Sequence, residues 1–305
     1  MNIGSFRGTK SFLHNHLPLS FEGEGDKGGE VEMTQGVEII KSNLEEYPSI
    51  KYYLGEIIDQ RLKIECYEYG MITAQLLDGE PSKSDLTRLE GVLQFGKAHC
   101  TDFKLIFQER KLPNKDRAID NEIINILAEV KAFEFLHKHG FRDITKIKRE
   151  KDVKTVDFTA KRNSQNYAVE VTRLGLARSD RKKPKLDKLS KPPWLTIIDS
   201  KEPQNRMRIA EDIYDEVIDK YPQVKEFCQR QVGVWKGILF ISNGRDYFVV
   251  GRYENKLYEL QPSTVHEILK QEWKLLKEGQ EYECLHHILI TMGKDLGKAI
   301  IYPEL

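Results

Sequence analysis

The stretch from Val153 to Gly175, VKTVDFTAKRNSQNYAVEVTRLG, decides the fold. Apolar and polar residues alternate on either side of the turn-forming RNSQ, which predicts a β-hairpin with strands over Val153–Lys161 and Asn166–Leu174. On the first strand Val156, Phe158 and Ala160 share a face opposite Thr155, Asp157 and Thr159. On the second, Tyr167, Val169 and Val171 share a face opposite Ala168, Glu170 and Thr172. With Asn163 and Ser164 as the central turn residues, Phe158 pairs with Val169, Val156 with Val171, and Asp157 falls directly across from Glu170. Carboxylates facing each other this way have Cβ atoms about 4.5 to 5.5 Å apart and repel. A raised pKa on one acid would relieve the repulsion. So would a divalent cation held by oxygen ligands from the two acids, a backbone carbonyl and water, and this second solution is the preferred expectation.

Upstream, Ile123, Ile126, Leu127, Val130, Phe133 and Leu136 recur at helical spacing and Gly140 supplies a stop. FRDITKIK, Phe141 to Lys148, reads as a further strand. Downstream come a basic loop with prolines, a helix from about Asn205 to Tyr221 ended by Pro222, and the apolar strand GILFIS at Gly237–Ser242. The C-terminal part adds a strand in DYFVVG, a helix near Thr264–Lys277 and two strands around HHILITM and KAIIYP. Residues 1–30 have the composition of a flexible leader. Residues 31–115 read as an α/β module of unknown role, with a helix near Asn43–Gln60 and strands in LKIECYEYGMITAQLL and CTDFKLIFQER. KLPNKDR, Lys111–Arg117, is the expected boundary before a domain over residues 116–305.

A chain of 305 residues with 39% apolar and 31% charged residues can bury a full core. Its 48 basic and 48 acidic residues balance, so affinity for nucleic acid has to come from local clustering. Cys66, Cys100, Cys228 and Cys284 are scattered, without zinc-site or disulfide-framework spacing, and are expected reduced and buried in a cytoplasmic protein. No apolar run reaches a membrane span, and no P-loop or G-x-S-x-G elbow occurs. GEGDKG at Gly23–Gly28 has the form of a dinucleotide fingerprint, but Glu24 and Asp26 would repel a pyrophosphate.

Taken together, AEVKAFEFLHKHGF at Ala128–Phe141, then VDFTAKRNSQNYAVEVTRLG, then a helix and GILFIS resemble the PD-(D/E)XK, or restriction-endonuclease-like, nuclease superfamily. The resemblance spans about residues 120–242 and implies an α/β fold, a mixed central sheet flanked by helices, with an N-terminal α/β extension and C-terminal strands. It implies an endonuclease hydrolysing phosphodiester bonds with Mg²⁺ or Mn²⁺, on DNA in preference to RNA. Asp157 and Glu170 match the metal-binding acids, the Val171 carbonyl completes the set, and Glu129 best matches the acid of the first helix, with Glu134 and Glu122 as further options. Thr172 stands where the superfamily has lysine, so a displaced cation is implied, and Lys220, Lys236 and Arg173 are the candidates. The loop carrying Arg173, Arg178, Arg181, Lys182, Lys183, Lys185, Lys188 and Lys191, followed by Trp194, would bind nucleic acid. A catalytically inactive nucleic-acid-binding protein of the same fold is one alternative. An adaptor that meets a protein partner is another, and the N-terminal module could serve a homodimer or a partner.

Overall fold

The computed structural model describes residues 28–63, 71–78, 83–108, 116–150, 153–174, 196–199, 203–242, 256–259, 262–278, 282–291 and 299–305. Residues 1–27 of the expected leader, residues 111–115 of the expected boundary Lys111–Arg117, the strand in DYFVVG and most of the basic loop, including Trp194, lie outside them, while Gly28–Glu30 and Asp116–Arg117 are helical. Helices α1 (Gly28–Leu44), α2 (Pro48–Lys63), α3 (Met71–Asp78), α4 (Lys83–His99) and α5 (Leu105–Gln108) precede the long α6 (Asp116–Lys138), with β1 (Cys100–Thr101) between α4 and α5. Then follow β2 (Arg142–Lys146), β3 (Phe158–Arg162), β4 (Gln165–Arg173), β5 (Thr196–Asp199), α7 (Pro203–Arg230), β6 (Trp235–Ser242), β7 (Lys256–Glu259), α8 (Pro262–Glu278), β8 (Leu285–Thr291) and β9 (Ala299–Tyr302). A mixed seven-stranded sheet in the order β1-β2-β3-β4-β6-β8-β9 forms the centre, with β5 and β7 as a separate parallel pair.

The hairpin has the expected register. Phe158 pairs with Val169, Ala160 with Tyr167 and Arg162 with Gln165. Asn163 and Ser164 take φ of 49° and 61°, the left-handed pair that a two-residue turn requires. β4 then runs parallel to β6, and β6 parallel to β8. Parallel neighbours need long crossovers, and α7 and α8 lie along these two, both on one face of the sheet. β6 is buried on both faces, as its unbroken apolar run demands, with Ile238 and Phe240 toward α6 and Leu239 and Ile241 toward α7 and α8.

Helix α6 ends as expected. Gly140 adopts φ of 82°, its N–H donates to His137 O at 3.1 Å, and Phe141 N–H donates to Leu136 O at 3.0 Å, a Schellman stop. From Ile123 to Leu136 the helix is almost wholly buried, because α2 and α4 cover the side turned away from the sheet.

Three local expectations are corrected. MITAQLL forms α3, not a strand. Its buried Ile72 and Leu76 stand one helical turn apart, and Asn43 Nδ2 donates to Leu76 O at 2.6 Å. CTDFKLIFQER gives only the two-residue β1 before Asp102, at φ of 59°, turns the chain into α5, where Phe103, Ile106 and Phe107 bury at helical spacing. The described N-terminal residues are therefore largely helical, and their apolar side chains share one core cluster with α6 and the sheet. Finally, α7 continues through Pro222 to Arg230. Pro222 and Ile218, whose carbonyl loses its helical donor, both face solvent, while Val224, Phe227 and Cys228 beyond the proline are buried.

Among the described residues, Cys100, Cys228 and Cys284 are free thiols, the first two buried. No helix is long and apolar enough to cross a membrane, again among the described residues.

Candidate metal centre

The C-terminal ends of β2 and β4 and the start of β3 meet at one end of the sheet's strands, between β1 and β6 in the strand order. Asp157 sits just before β3, and there the hairpin register slips by one. Asp157 N–H donates to Val169 O at 3.0 Å, although Phe158 is the residue paired with Val169. Two residues of one strand thus address one of the other, a β-bulge, which re-aims the bulged side chain. Two expectations change as a result. Val156 packs with Ala168, Val224 and Phe227 on the α7 face, opposite Phe158 and Ala160, and Asp157 does not stand squarely across from Glu170. The Asp157 carboxylate instead turns to the end of β4, where Oδ2 accepts Val171 N–H at 2.9 Å. Since extended backbone carries the N–H and C=O of one residue on the same side, the Val171 carbonyl is directed to this corner as well.

Two acids, Asp157 and Glu129, share cations here, while Glu170, on the same side of β4 as Ala168 and Thr172, faces α7. Asp157 and Glu170 are 2% and 3% exposed, and Glu129 of α6 is 3% exposed. Lys146, which ends β2, bridges two of them. Its Nζ lies 2.9 Å from Glu129 Oε2 and 2.9 Å from Asp157 Oδ1. Arg149, in the loop after β2, places Nη2 3.1 Å from Asp157 Oδ1 and 3.5 Å from Glu129 Oε1. On the α7 side, Lys220 Nζ lies 3.4 Å from Glu170 Oε1.

These contacts set the protonation states. Burial would raise the Asp157 pKa, but the charges of Lys146 and Arg149 and the Val171 N–H hold it down at about 2. Glu170 moves the other way. Burial first and the Asp157 charge second push it well above the usual carboxylate range, against the opposing pull of Lys220 and Arg149. Burial alone would lower Lys146, yet Asp157 and Glu129 raise it, so it stays an ammonium. Cations thus sit against Asp157 in the protein itself, and burial together with the Asp157 charge favours the neutral form of Glu170.

The sequence-derived residues fare unequally. Glu129 is the helix acid at the corner, whereas Glu134 pairs with Lys138 at 2.5 Å and Glu122 lies nearly two turns earlier on α6. Lys220 is brought to Glu170. Lys236 is not, since it pairs with Tyr167 while Glu170 pairs with Leu239, three residues or about 10 Å further along the sheet. Thr172 turns its hydroxyl to α7 and donates to Glu216 Oε2 at 2.5 Å. Arg173 ends β4 beside Ser242 of β6. Arg178, Arg181, Lys182, Lys183, Lys185, Lys188 and Lys191 lie outside the described residues. Sequence reasoning missed Lys146 and Arg149. The alternation in ITK, which puts Lys146 on the same buried face as Ile144, was the one signal of an inward-pointing cation.

The donor chemistry suits a hard cation, since two carboxylates and a carbonyl offer only oxygen. Among the described residues no group of three or more His, Cys, Asp or Glu side chains is arranged to hold a metal, and Lys146 bridges Glu129 and Asp157. A divalent ion would be held by Asp157, Glu170 and the Val171 carbonyl, with Lys146 and Arg149 already donating to Asp157 Oδ1. Comparison with protein-family models, curated proteins and solved structures finds no match to this chain.

Proposed function

We propose that the chain is a metal-dependent nuclease with a restriction-endonuclease-like core, hydrolysing phosphodiester bonds in nucleic acid, DNA in preference to RNA. One observation carries this reading. Asp157 and Glu170 are buried at the same sheet corner, close enough for Asp157 to raise the Glu170 pKa, with the Lys220 ammonium 3.4 Å from Glu170. The order α6, the β2-β3-β4 meander, α7 and β6, with β4 parallel to β6, agrees with that core.

In this reading Asp157, Glu170 and the Val171 carbonyl would hold Mg²⁺ or Mn²⁺, which would supply Lewis acidity and activation of water at neutral pH. Asp157 is fixed in place by Val171 N–H and Lys146, so its orientation does not depend on the ion. Ligation would require Glu170 as the carboxylate, which burial and Asp157 disfavour, so binding would be coupled to pH. Lys220 takes the part of the lysine that Thr172 replaces, offsetting negative charge that develops at phosphorus from the helix instead of the strand.

A second reading rests on Lys146. An ammonium 1% exposed and shared by Glu129 and Asp157 can equally be a structural ion cluster in an inactive nucleic-acid-binding protein. Incubation with supercoiled plasmid and with single-stranded DNA and RNA in Mg²⁺, Mn²⁺ or EDTA separates the two. The nuclease reading expects cleavage that EDTA, Asp157→Asn and Glu170→Gln each abolish. Binding without cleavage supports the inactive form. Loss of both would point to an adaptor.

A further inference from the structure

Asp157 has two cationic partners of opposite character. Lys146 has a side chain 1% exposed and also holds Glu129, so moving it would strand two buried charges. Arg149 makes comparable contacts with a side chain 54% exposed. Two residues before it, Ile147 N–H donates to Asp157 O at 2.9 Å and anchors the backbone on that side. The guanidinium can therefore swing from the acids toward water. Asp157 Oδ1 already accepts from both Lys146 and Arg149, so a cation binding at that oxygen must displace a donor, and Arg149 is the one that leaves at low cost. Its planar fork matches a phosphate better than a lysine does, and it stands beside exposed Lys148 on the solvent side of the corner.

We infer that Arg149 is the exchangeable cation of this site: it screens Glu129 and Asp157 at rest, yields Asp157 to a divalent cation, and then grips a phosphate oxygen of the bound strand. The inference rests on the nuclease reading and adds a substrate-binding residue to it. The test is calorimetric titration with Mn²⁺ alone, together with fluorescence anisotropy of a labelled DNA duplex in Ca²⁺, for wild type, Arg149→Ala, Arg149→Lys and Asp157→Asn. Removing a like charge at this distance should tighten Mn²⁺ binding by Arg149→Ala on the order of tenfold. The same variant should bind the duplex more weakly, with a salt slope shallower by about one. Arg149→Lys keeps the charge and should hold Mn²⁺ affinity near wild type. Unchanged Mn²⁺ affinity in Arg149→Ala overturns the exchange, and unchanged duplex affinity overturns the phosphate contact. Failure of the underlying reading looks different: Asp157→Asn would then bind Mn²⁺ like wild type, and the inference falls with it.

Discussion

Replacing Lys146 by methionine is the sharpest probe of the charge cluster. Methionine keeps much of the volume and removes the ammonium that lies 2.9 Å from both Glu129 and Asp157. Two carboxylates that are 3% and 2% exposed would then lose the buried cation they share, while Arg149, half in water, and the Val171 N–H on Asp157 remain. Breaking a buried pair from one side costs about 3 to 5 kcal/mol, and the remaining arginine places this case near the lower end. For a chain of 305 residues such a loss lowers Tm by roughly 5 to 8 °C. Urea unfolding followed by circular dichroism in EDTA measures it. The double variant Lys146→Met, Asp157→Asn should recover part of the loss, because the neutral amide no longer needs a counter-charge. Mn²⁺ should stabilise Lys146→Met more than wild type, since a competing positive charge has gone. A single variant within about 1 kcal/mol of wild type, or a double variant whose losses simply add, would refute the claim that this lysine offsets both acids.

Other expectations follow from the same contacts. Asp157 falls from an ordinary 3.8 to about 2 on folding, so it contributes about 2 kcal/mol that is present above pH 4 to 5 and lost as pH drops toward 2; Asp157→Asn should flatten that acid limb of stability. Glu170 has the opposite sign. Its raised pKa favours the fold at low pH and penalises it as pH rises, so in EDTA Glu170→Gln should be more stable than wild type at pH 8 and should converge with it near pH 4.5. A Cβ on Gly237 would meet Val224 Cγ1 at 2.4 Å and Cys284 O at 2.5 Å, where β6 passes under α7, so Gly237→Ala should cost about 1 to 3 kcal/mol in urea unfolding. Lys220→Ala should lower kcat of DNA cleavage on the order of a hundredfold with KM little changed, while Lys236→Ala leaves both unchanged.

What was legible in the sequence and what was not divide along physical lines. The hairpin register could be read because Asn163 and Ser164 form a two-residue turn, and a turn of that length fixes every pair after it. The same arithmetic failed at Asp157, where a bulge adds one residue without any local signal and sends Val156 to the other face. The stop of α6 was readable from Gly140, but the end assigned at Pro222 was wrong, because a proline on a solvent face costs little when apolar residues beyond it still have a sheet to cover. MITAQLL is too short for its apolar pattern to separate a strand from a helix, and contact with α1 decided it. At the site, the acids were found by motif and alternation, whereas their partners Lys146 and Arg149 come from another part of the chain. Their roles depend on the folding of β2 against β3, which no spacing encodes.

The account stands or falls on whether a hard cation binds between Asp157 and Glu170. Crystals soaked in Mn²⁺ and measured at the manganese edge test this directly. An anomalous peak within ligand distance of both carboxylates and the Val171 carbonyl, with Arg149 turned away from Asp157, is the expected result. The absence of any peak at that corner at saturating Mn²⁺, with Arg149 still on Asp157, would contradict it and leave the cluster as a structural ion network.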